Sequence, residues 1–467
     1  MNNRVILLLV LALFIQTSCD LIDGTGVENP NLTLDAAREL PNPSRAFVNG
    51  LQEQLASTAN SCLTTQELAT DNYVNVQSFF NQNVDAGIYR DIDTDFLNCQ
   101  VSIGTLREQA EYVLSEVIPT DPVDELEAEA YFFKGIASLL AGEIFTVLPA
   151  EELGPAVSPS THLETAVQDF SSALAIDPDN VGYMLARARA HYNLGNQSEA
   201  VADANSAITA DAGGGYVRYV LFDAVNGPAN TFQNAVHDRG NFDDLQPLPS
   251  LDFLDPKYFD ISGSLDSDVP LLKIEEAHLI LAEAKLADSN LPGALTDMTN
   301  LVNLVNSRTT VIIDDSGESR NGDGTVDQRP NNTSFTVRAS DSDPFRSGLV
   351  IERTNNVEIP TISGTSLTPA DIASISTATD ALTTLYLLRQ EVFFGEGRRM
   401  IDLGIRWPVA EQEALINPNI VASDRVAIIP DYLPPLSELD LYTLNGTEVT
   451  IQHNINRVIA TGRGNKF

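Results

Sequence analysis

An acidic stretch, SRNGDGTVD at residues 319–327, offers oxygen atoms at the spacing of a calcium-binding loop. Carboxylate and amide oxygens are the ligands that Ca²⁺ prefers, and such loops supply them from alternate positions. Asn321, Asp323 and Asp327 match the third, fifth and ninth positions, but the first position holds a serine and the twelfth holds Pro330. We therefore expect a solvated turn and no cofactor, with a calcium site as the alternative.

The chain lacks the residue patterns of common catalytic sites. Its histidines are His162, His191, His237, His278 and His453. No two of them stand at the spacing that zinc sites use. The sequence also contains no Gly-x-Ser-x-Gly turn for a nucleophilic serine and no glycine-rich phosphate loop. These absences predict a protein that is not an enzyme.

The first cysteine of the chain, Cys19, follows an apolar run that is typical of a signal peptide. Val5–Ile15 is too short to cross a bilayer as a permanent helix, which needs roughly 20 apolar residues. The small residues directly before the thiol resemble a bacterial lipobox, in which the cysteine is acylated, although Gln16 stands where leucine is usual. We interpret Cys19 as a lipid attachment site, and an ordinary cleaved signal is the alternative.

Acylation of Cys19 would hold a protein on a membrane without a spanning helix, because each buried CH₂ contributes about 0.8 kcal/mol. Residues 1–19 are then a lipoprotein signal peptide, residues 20–30 a flexible tether and residues 31–467 a single domain. The acidic residues after the cysteine resemble an export signal to the cell surface. We expect a protein anchored by lipid in the outer membrane and facing outward.

Two further cysteines, Cys62 and Cys99, are candidates for a disulfide bond, because exported proteins commonly oxidise their thiols. Free buried thiols are the alternative, since cysteine is among the most buried residue types. The sequence leaves both possibilities open.

The formal charge of the chain is strongly negative. It carries 27 Lys and Arg against 65 Asp and Glu, so the charge is 27 − 65 = −38. Repulsion from phosphate groups makes a nucleic-acid partner a poor hypothesis. The acidic residues are scattered along the chain, which indicates a solvated acidic surface.

Two segments of the chain repeat at a fixed offset. HLETAVQDFSSALAIDPDN at 162–180 aligns with NQSEAVADANSAITAD at 196–211, and Ala166 falls on Ala200, an offset of 200 − 166 = 34 residues. This offset is the tetratricopeptide period, in which small residues let two antiparallel helices approach closely. A further copy of the pattern lies at 279–308. The repeats predict a stack of helix pairs.

The remaining chain divides into helical and irregular parts. Helical spacing of apolar residues is clear at 105–117, 125–140 and 381–407, so the scaffold is predicted to cover about 105–308 and 381–407. Loop-rich ligand regions are predicted at 31–100, 213–270 and 309–369. Strand-like fragments lie at Val311–Ile313 and Phe335–Val337.

The run LRQEVFFGEGRRMIDLGIRW at 388–407 resembles the C-terminal signature of SusD/RagB proteins. The match is carried by Arg389, Glu391, Phe394, Gly395, Glu396, Arg399, Asp402 and Leu403. Met400 stands where the family usually has tryptophan. Segments 126–149 and 271–286 also resemble the family in the same order. We expect Glu391 and a nearby arginine to form an ion pair that attaches this helix to the repeats.

The SusD/RagB resemblance implies a mainly α fold of tetratricopeptide-like helical repeats with large irregular loop insertions. It also implies a surface lipoprotein without enzymatic activity, which captures an oligosaccharide or oligopeptide and passes it to a SusC-like TonB-dependent transporter. The alternative is a tetratricopeptide lipoprotein that scaffolds envelope assembly through helix-in-groove contacts.

The stretch DNYVNVQSFFNQN has the composition of a ligand-binding loop. Aromatic faces stack on sugar rings or line side-chain pockets, while amides and carboxylates bind hydroxyl and amide groups. We therefore expect ligand contacts from Asp71, Asn72, Tyr73, Phe79 and Phe80. The alternative is that these residues are packed in the core.

Overall fold

The computed structural model of the chain describes residues 37–76, 81–237, 245–258, 263–315, 329–352 and 356–467. The predicted signal peptide, Cys19 and the tether lie outside these ranges. So do Phe79 and Phe80 and the calcium-loop residues Asn321, Asp323 and Asp327, and all of these stay predictions. Within the described ranges, no helix is both long enough and apolar enough to span a membrane.

Helices account for most of the regular structure in the described residues. In chain order they are α1 Pro43–Leu68, α2 Gln82–Asp85, α3 Thr94–Tyr112, α4 Asp124–Ile144, α5 Pro159–Ile176, α6 Val181–Leu194, α7 Gln197–Ala210, α8 Thr231–His237, α9 Glu275–Ala287, α10 Leu291–Asn306, α11 Pro369–Ala373, α12 Ala378–Val392, α13 Arg399–Leu403, α14 Glu411–Ile416 and α15 Ile455–Gly462. Short 3₁₀ segments lie at Asp252–Tyr258, Ala422–Arg425 and Leu436–Glu438, and a π-helical turn, Val113–Val117, continues α3.

The strands are short and form small, separate sheets. They are β1 Tyr73–Asn75, β2 Leu148–Pro149, β3 Ala156–Val157, β4 Val217–Val220, β5 Leu245–Pro247, β6 Val269–Lys273, β7 Thr310–Asp314, β8 Thr336–Arg338, β9 Asn356–Pro360, β10 Tyr442–Asn445 and β11 Glu448–Ile451. Antiparallel pairs join β1 to β5, β2 to β3, β4 to β6 and β7 to β9, while β10, β11 and β8 form a three-stranded sheet with β8 parallel to β11. The two predicted strand fragments fall in β7 and β8.

The predicted helix pairs are present as α4 with α5, α6 with α7, and α9 with α10. Capping residues define their ends: the side chains of Ser158, Asn180 and Asn290 accept a hydrogen bond from a backbone N–H of the first turn. The pairs pack tightly because small residues lie between them. A Cβ on Gly142 of α4, for example, would lie 2.9 Å from the carbonyl oxygen of Pro159 in α5. The prediction of tetratricopeptide-like repeats is confirmed.

The N-terminal part of the chain differs from its prediction. Residues 31–100 were predicted to be loop-rich, but α1 covers 26 of them as one helix. Its apolar residues Val48, Leu51 and Leu55 do follow helical spacing and are buried. The periodicity is obscured because polar residues such as Thr58 and Gln66 are also buried on this helix, where hydrogen bonds to Ser102 and to the backbone of Gly397 satisfy them.

A disulfide bond between Cys62 and Cys99 joins α1 to α3, and their Cα atoms lie 4.8 Å apart. Between the two helices, the hydroxyl groups of Thr58 and Ser102 are 3.1 Å apart and form a buried hydrogen bond. Of the two possibilities that the sequence left open, the structure contains the bridge.

The helix predicted over 381–407 is interrupted. α12 ends at Val392 and α13 begins at Arg399, with Gly395 and Gly397 both at a φ of +70° between them. Glycine adopts this left-handed conformation without steric cost, so the chain turns sharply here. The turn folds α13 back against α12. The signature residues of 389–403 therefore lie close together on both sides of the turn.

Close packing of the helix pairs is testable at Gly142. We expect Gly142→Ala to lower the free energy of unfolding by about 1–3 kcal/mol, because the added methyl group meets fixed backbone of α5. Gly50→Ala is the matched control, since an added Cβ there has no atom within 4 Å. It should stabilise α1 by about 0.5–1 kcal/mol. Urea unfolding of both variants measures the difference, and equal effects would contradict this packing.

Candidate functional site

The predicted ligand residues Asp71 and Asn72 belong to a buried polar cluster, which also includes Gln390, Arg399 and Asn456. Arg399 donates to both carboxylate oxygens of Asp71, at 2.7 and 2.8 Å. The Gln390 side chain donates to Asp71 and Asn72, at 2.9 and 3.1 Å. Asn456 accepts from Arg399 and donates to Gln390. Asp71 and Asn72 therefore connect the N-terminal segment to α12, α13 and α15.

Tyr73 is also packed inside the protein. Its side chain is 1% exposed, with its ring stacked on Phe394 at 4.8 Å and in edge contact with Phe232 at 5.6 Å. For Asp71, Asn72 and Tyr73 the structure therefore matches the alternative of a core position. Asp71 does border a pocket between α12 and α15, but its volume of about 110 Å³ is below the roughly 300–1,000 Å³ of typical ligand pockets.

Glu391 does not form the predicted ion pair. Its carboxylate accepts hydrogen bonds from Thr365 at 2.6 Å and from the backbone and side chain of Ser366, and burial raises its pKa. The ion pair that attaches this region to the repeats is instead made by Arg398, which donates to Glu276 of α9 at 2.5 and 3.2 Å. The prediction was right about the contact between elements and wrong about the residue.

Two carboxylates beside this turn differ in their environment. Glu396 pairs with Lys273 at 2.6 Å and with Lys257. Glu67 accepts hydrogen bonds from the backbone of Gly397 at 2.6 Å and from Asn72 at 2.8 Å, and burial raises its pKa to about 7. Both carboxylates are enclosed by the fold, and their ion pairs and hydrogen bonds contribute to its stability. In the part of the chain that the structure describes, no three His, Cys, Asp or Glu side chains converge as metal ligands.

A groove of about 620 Å³ lies on the surface between α1 and α3, and we call it the aromatic groove. Its walls carry Phe47 and Tyr112, whose ring centroids are 5.7 Å apart. The other lining residues are Ala37, Ala46, Gly50, Leu51, Glu53, Gln54, Ser57, Glu108, Gln109, Val113 and Pro228. The groove is within the size range of ligand pockets and combines aromatic faces with amide, hydroxyl and carboxylate groups.

Tyr112 lines this groove, and its hydroxyl oxygen is buried from solvent with no hydrogen bond to a described residue. Because this oxygen is not accessible, the groove offers the ring of Tyr112 to a ligand and not its hydroxyl. Arg38 lies over the Tyr112 ring at 5.0 Å and pairs with Glu116 at 3.2 Å, which holds the ring in place. The aromatic groove is therefore the candidate ligand site.

Sequence reasoning missed the aromatic groove entirely. Phe47 is the one aromatic residue of α1 and Tyr112 is one of two in α3, and each fits an ordinary amphipathic pattern. The one local signal was Gly50. A glycine inside a helix lowers the stability of the helix, so its presence there indicates that a side chain would occupy needed space. An added Cβ at Gly50 would meet no atom within 4 Å, so the glycine leaves the floor of the groove open.

Comparison with known proteins identifies the fold. No model of a known protein family matches the chain, and no curated protein matches its sequence. A SusD superfamily protein from Bacteroides thetaiotaomicron VPI-5482 aligns over 81% of this chain and 98% of its own, with a TM-score of 0.52 and 11% identity. One from Bacteroides vulgatus ATCC 8482 covers 77% of this chain and 87% of its own, with a TM-score of 0.51 and 13% identity.

The chain has the SusD-like fold. A third structure, a SusD superfamily protein from Bacteroides fragilis, agrees over 81% of this chain and 98% of its own, with a TM-score of 0.50 and 15% identity. The resemblance inferred from the 388–407 signature is thus confirmed for the fold. In this SusD-like chain the signature residues Arg389, Glu391 and Arg399 are buried and hydrogen-bonded, so their role is structural.

The SusD-like body also contains two neighbouring carboxyl groups that titrate near neutral pH. Burial, and then the charge of Asp85, raises the pKa of Asp440 to about 7, and burial raises the pKa of Asp85 to about 6. A raised pKa in the folded state means that the fold binds protons more tightly than the unfolded chain. The contribution of these two groups to stability therefore falls as pH rises from about 4 towards 7.

This dependence predicts the behaviour of Asp440→Asn. The variant should melt at a higher temperature than the native chain near pH 8, because it removes a buried charge beside Asp85, and the difference should vanish near pH 4. Calorimetric melting across this pH range is the measurement. Asp431→Asn, at an exposed position nearby, is the control and should not show the trend. A constant difference at all pH values would contradict the prediction.

Proposed function

We propose that this chain is a substrate-binding lipoprotein that captures an oligosaccharide or oligopeptide in the aromatic groove and passes it to a TonB-dependent outer-membrane transporter. The observation that carries the proposal is the groove itself, which has the size of a ligand pocket and carries two aromatic rings. The fold supports the same class of function. A structure with a TM-score of 0.53 and 12% identity, from Bacteroides vulgatus ATCC 8482, is provisionally described as a sugar-binding protein.

The chemistry of the groove favours a neutral saccharide. Sugar rings present C–H groups to aromatic faces and hydroxyl groups to amides and carboxylates. Gln109, Glu53 and Glu108 lie at the exposed edges of the groove, where they can accept or donate such bonds. The carboxylates and the net charge of −38 disfavour anionic ligands. A peptide without acidic residues satisfies the same requirements and is the second ligand class.

The position of the groove in the chain fits delivery at a membrane. Ala37, which lines the groove, is 37 − 19 = 18 residues beyond Cys19. At no more than roughly 3.6 Å per residue, a lipid on Cys19 would keep Ala37 within about 65 Å of the membrane surface. Capture and transfer could then take place beside one transporter. A scaffold for envelope assembly is the alternative function and would not need a ligand in this groove.

Gly50→Trp tests the capture site. The indole would fill the groove from its floor, where the glycine leaves open space, so affinity for the ligand should fall at least about ten-fold without loss of helix stability. Calorimetric titration with panels of neutral glycans and peptides measures the effect on the native chain and the variant.

Gly104→Trp is the matched control for this experiment. Gly104 is a helical glycine in α3 where an added Cβ would come no closer than 4.0 Å to another residue, the Arg107 side chain, but it faces a different groove. It should bind neutral glycans as the native chain does. Glycan or peptide binding that survives Gly50→Trp would place the ligand elsewhere. If neither panel binds the native chain, the scaffold alternative is favoured.

Lipid attachment is tested at Cys19. Cells given a labelled fatty acid should label the native chain and not Cys19→Ser, because the thiol is the acylated group. Protease added to whole cells should digest the native chain if it faces outward. Labelling of both proteins, or of neither, would contradict the predicted lipoprotein signal.

A further inference from the structure

A second groove, of about 400 Å³, lies between α3, the β2–β3 hairpin and α14, and we call it the hairpin groove. Apolar side chains project into solvent along it: Val101 is 55% exposed, Leu153 46% and Ile416 69%. Beside Ile416, Leu415 is 75% exposed, and no residue of α14 is buried. Exposed apolar side chains gathered at one place on a folded protein mark an interaction surface.

The tip of the β2–β3 hairpin is held in an unfavourable conformation. Leu153 has a φ of +52°, in the left-handed region that favours glycine over a residue with a side chain. Two side chains from the segment after α14 hold this tip: Asn417, which is fully buried, donates to the carbonyl of Gly154 at 2.8 Å, and Asn419 donates to that of Leu153 at 2.9 Å. The fold thus fixes an apolar side chain outward where glycine would be more stable.

The walls of the hairpin groove are acidic. Glu108, Glu151, Glu152 and Glu413 line it, and the only lining cation from the described residues, Arg107, already donates to the carbonyl of Pro149 at 2.8 Å and pairs with Glu108. An occupant of this groove must therefore bring positive charge together with apolar side chains. A second copy of the chain, with a charge of −38, would be repelled.

This groove also differs in kind from the aromatic groove. The described part of the chain contributes no aromatic ring to its walls, so the stacking surface that a sugar needs is missing. A wall that combines apolar and acidic side chains suits a polypeptide segment instead. The two grooves lie side by side, because Glu108 borders both of them.

We propose that the hairpin groove is a docking site for a segment of a partner protein in which aliphatic residues alternate with lysine or arginine. Leu153, Val101 and Ile416 contact the aliphatic side chains, and the four glutamates pair with the basic ones. This proposal does not depend on ligand capture in the aromatic groove, since Glu108 is the one residue that lines both grooves and the other contacts named here lie outside the aromatic groove.

The experiment measures binding of fluorescent peptides to the purified full chain in mild detergent. The probe is a peptide of alternating leucine and lysine, and alternating alanine and lysine and alternating leucine and glutamate are the control peptides. We expect saturable binding of the leucine-lysine peptide at least about ten-fold tighter than of either control. Fluorescence anisotropy at physiological salt gives the affinities.

Four variants locate the binding. Ile416→Ser and Gly104→Trp should each lower the affinity for the leucine-lysine peptide at least about ten-fold. Leu153→Gly should also weaken it while melting at the same or a higher temperature, because glycine relieves the left-handed φ. Val225→Ser is the matched control, since Val225 is exposed to solvent on a different loop, and it should leave affinity unchanged.

Several results would overturn the proposal. If the alanine-lysine peptide bound as tightly as the leucine-lysine peptide, charge alone would account for the affinity. Unchanged affinity of Ile416→Ser and Leu153→Gly, with both variants folded by circular dichroism, would place the peptide elsewhere. Concentration-dependent dimerisation of the native chain that Ile416→Ser abolishes would identify a second copy as the occupant. Loss of glycan binding with intact peptide binding would overturn only the function proposed above.

Discussion

The ion pair between Arg399 and Asp71 is the contact on which the rest of the structure depends. Both side chains are buried, and a buried charge is tolerated only when it is paired and hydrogen-bonded. Removing one partner of such a pair typically costs about 3–5 kcal/mol, because the other charge remains without compensation. The N-terminal segment and the C-terminal helices must therefore meet in one arrangement for the chain to fold.

The same requirement extends into the repeat stack. Arg398, next to Arg399 in the chain, pairs with Glu276 of α9, so adjacent residues bind opposite parts of the molecule. Glu396 forms ion pairs with two lysines from the segment between the repeats. The left-handed glycines between α12 and α13 make this possible, because they let the chain reverse before the arginines.

The parts of the fold that were predictable from sequence are those where one physical signal acts locally. The 34-residue offset between Ala166 and Ala200 reflects helix pairs whose small residues must recur, and it located them correctly. α1 was missed because Thr58 and Gln66 are polar yet buried, and their partners lie far away in sequence. Charge alone suggested an arginine as the ion-pair partner of Glu391. In the structure, hydroxyl groups donate hydrogen bonds to its carboxylate instead.

The candidate site was less accessible to sequence reasoning for the same reason. Asp71, Asn72 and Tyr73 have the composition of a sugar-binding loop, and composition does not distinguish a solvent-facing amide from one that joins two helices. The aromatic groove requires Phe47 and Tyr112 to meet across two helices, which is a property of tertiary structure. Only the fold could bring them together.

The disulfide bond links the formation of the aromatic groove to the redox state of the compartment. Cys62 and Cys99 lie in α1 and α3, the two helices that form its walls, so a covalent link crosses between them near one end. Thiols remain reduced in the cytoplasm and oxidise after export. An exported chain of the proposed function would therefore acquire this bond only outside the cytoplasm, and a chain retained inside the cell would have its two helices held by packing alone.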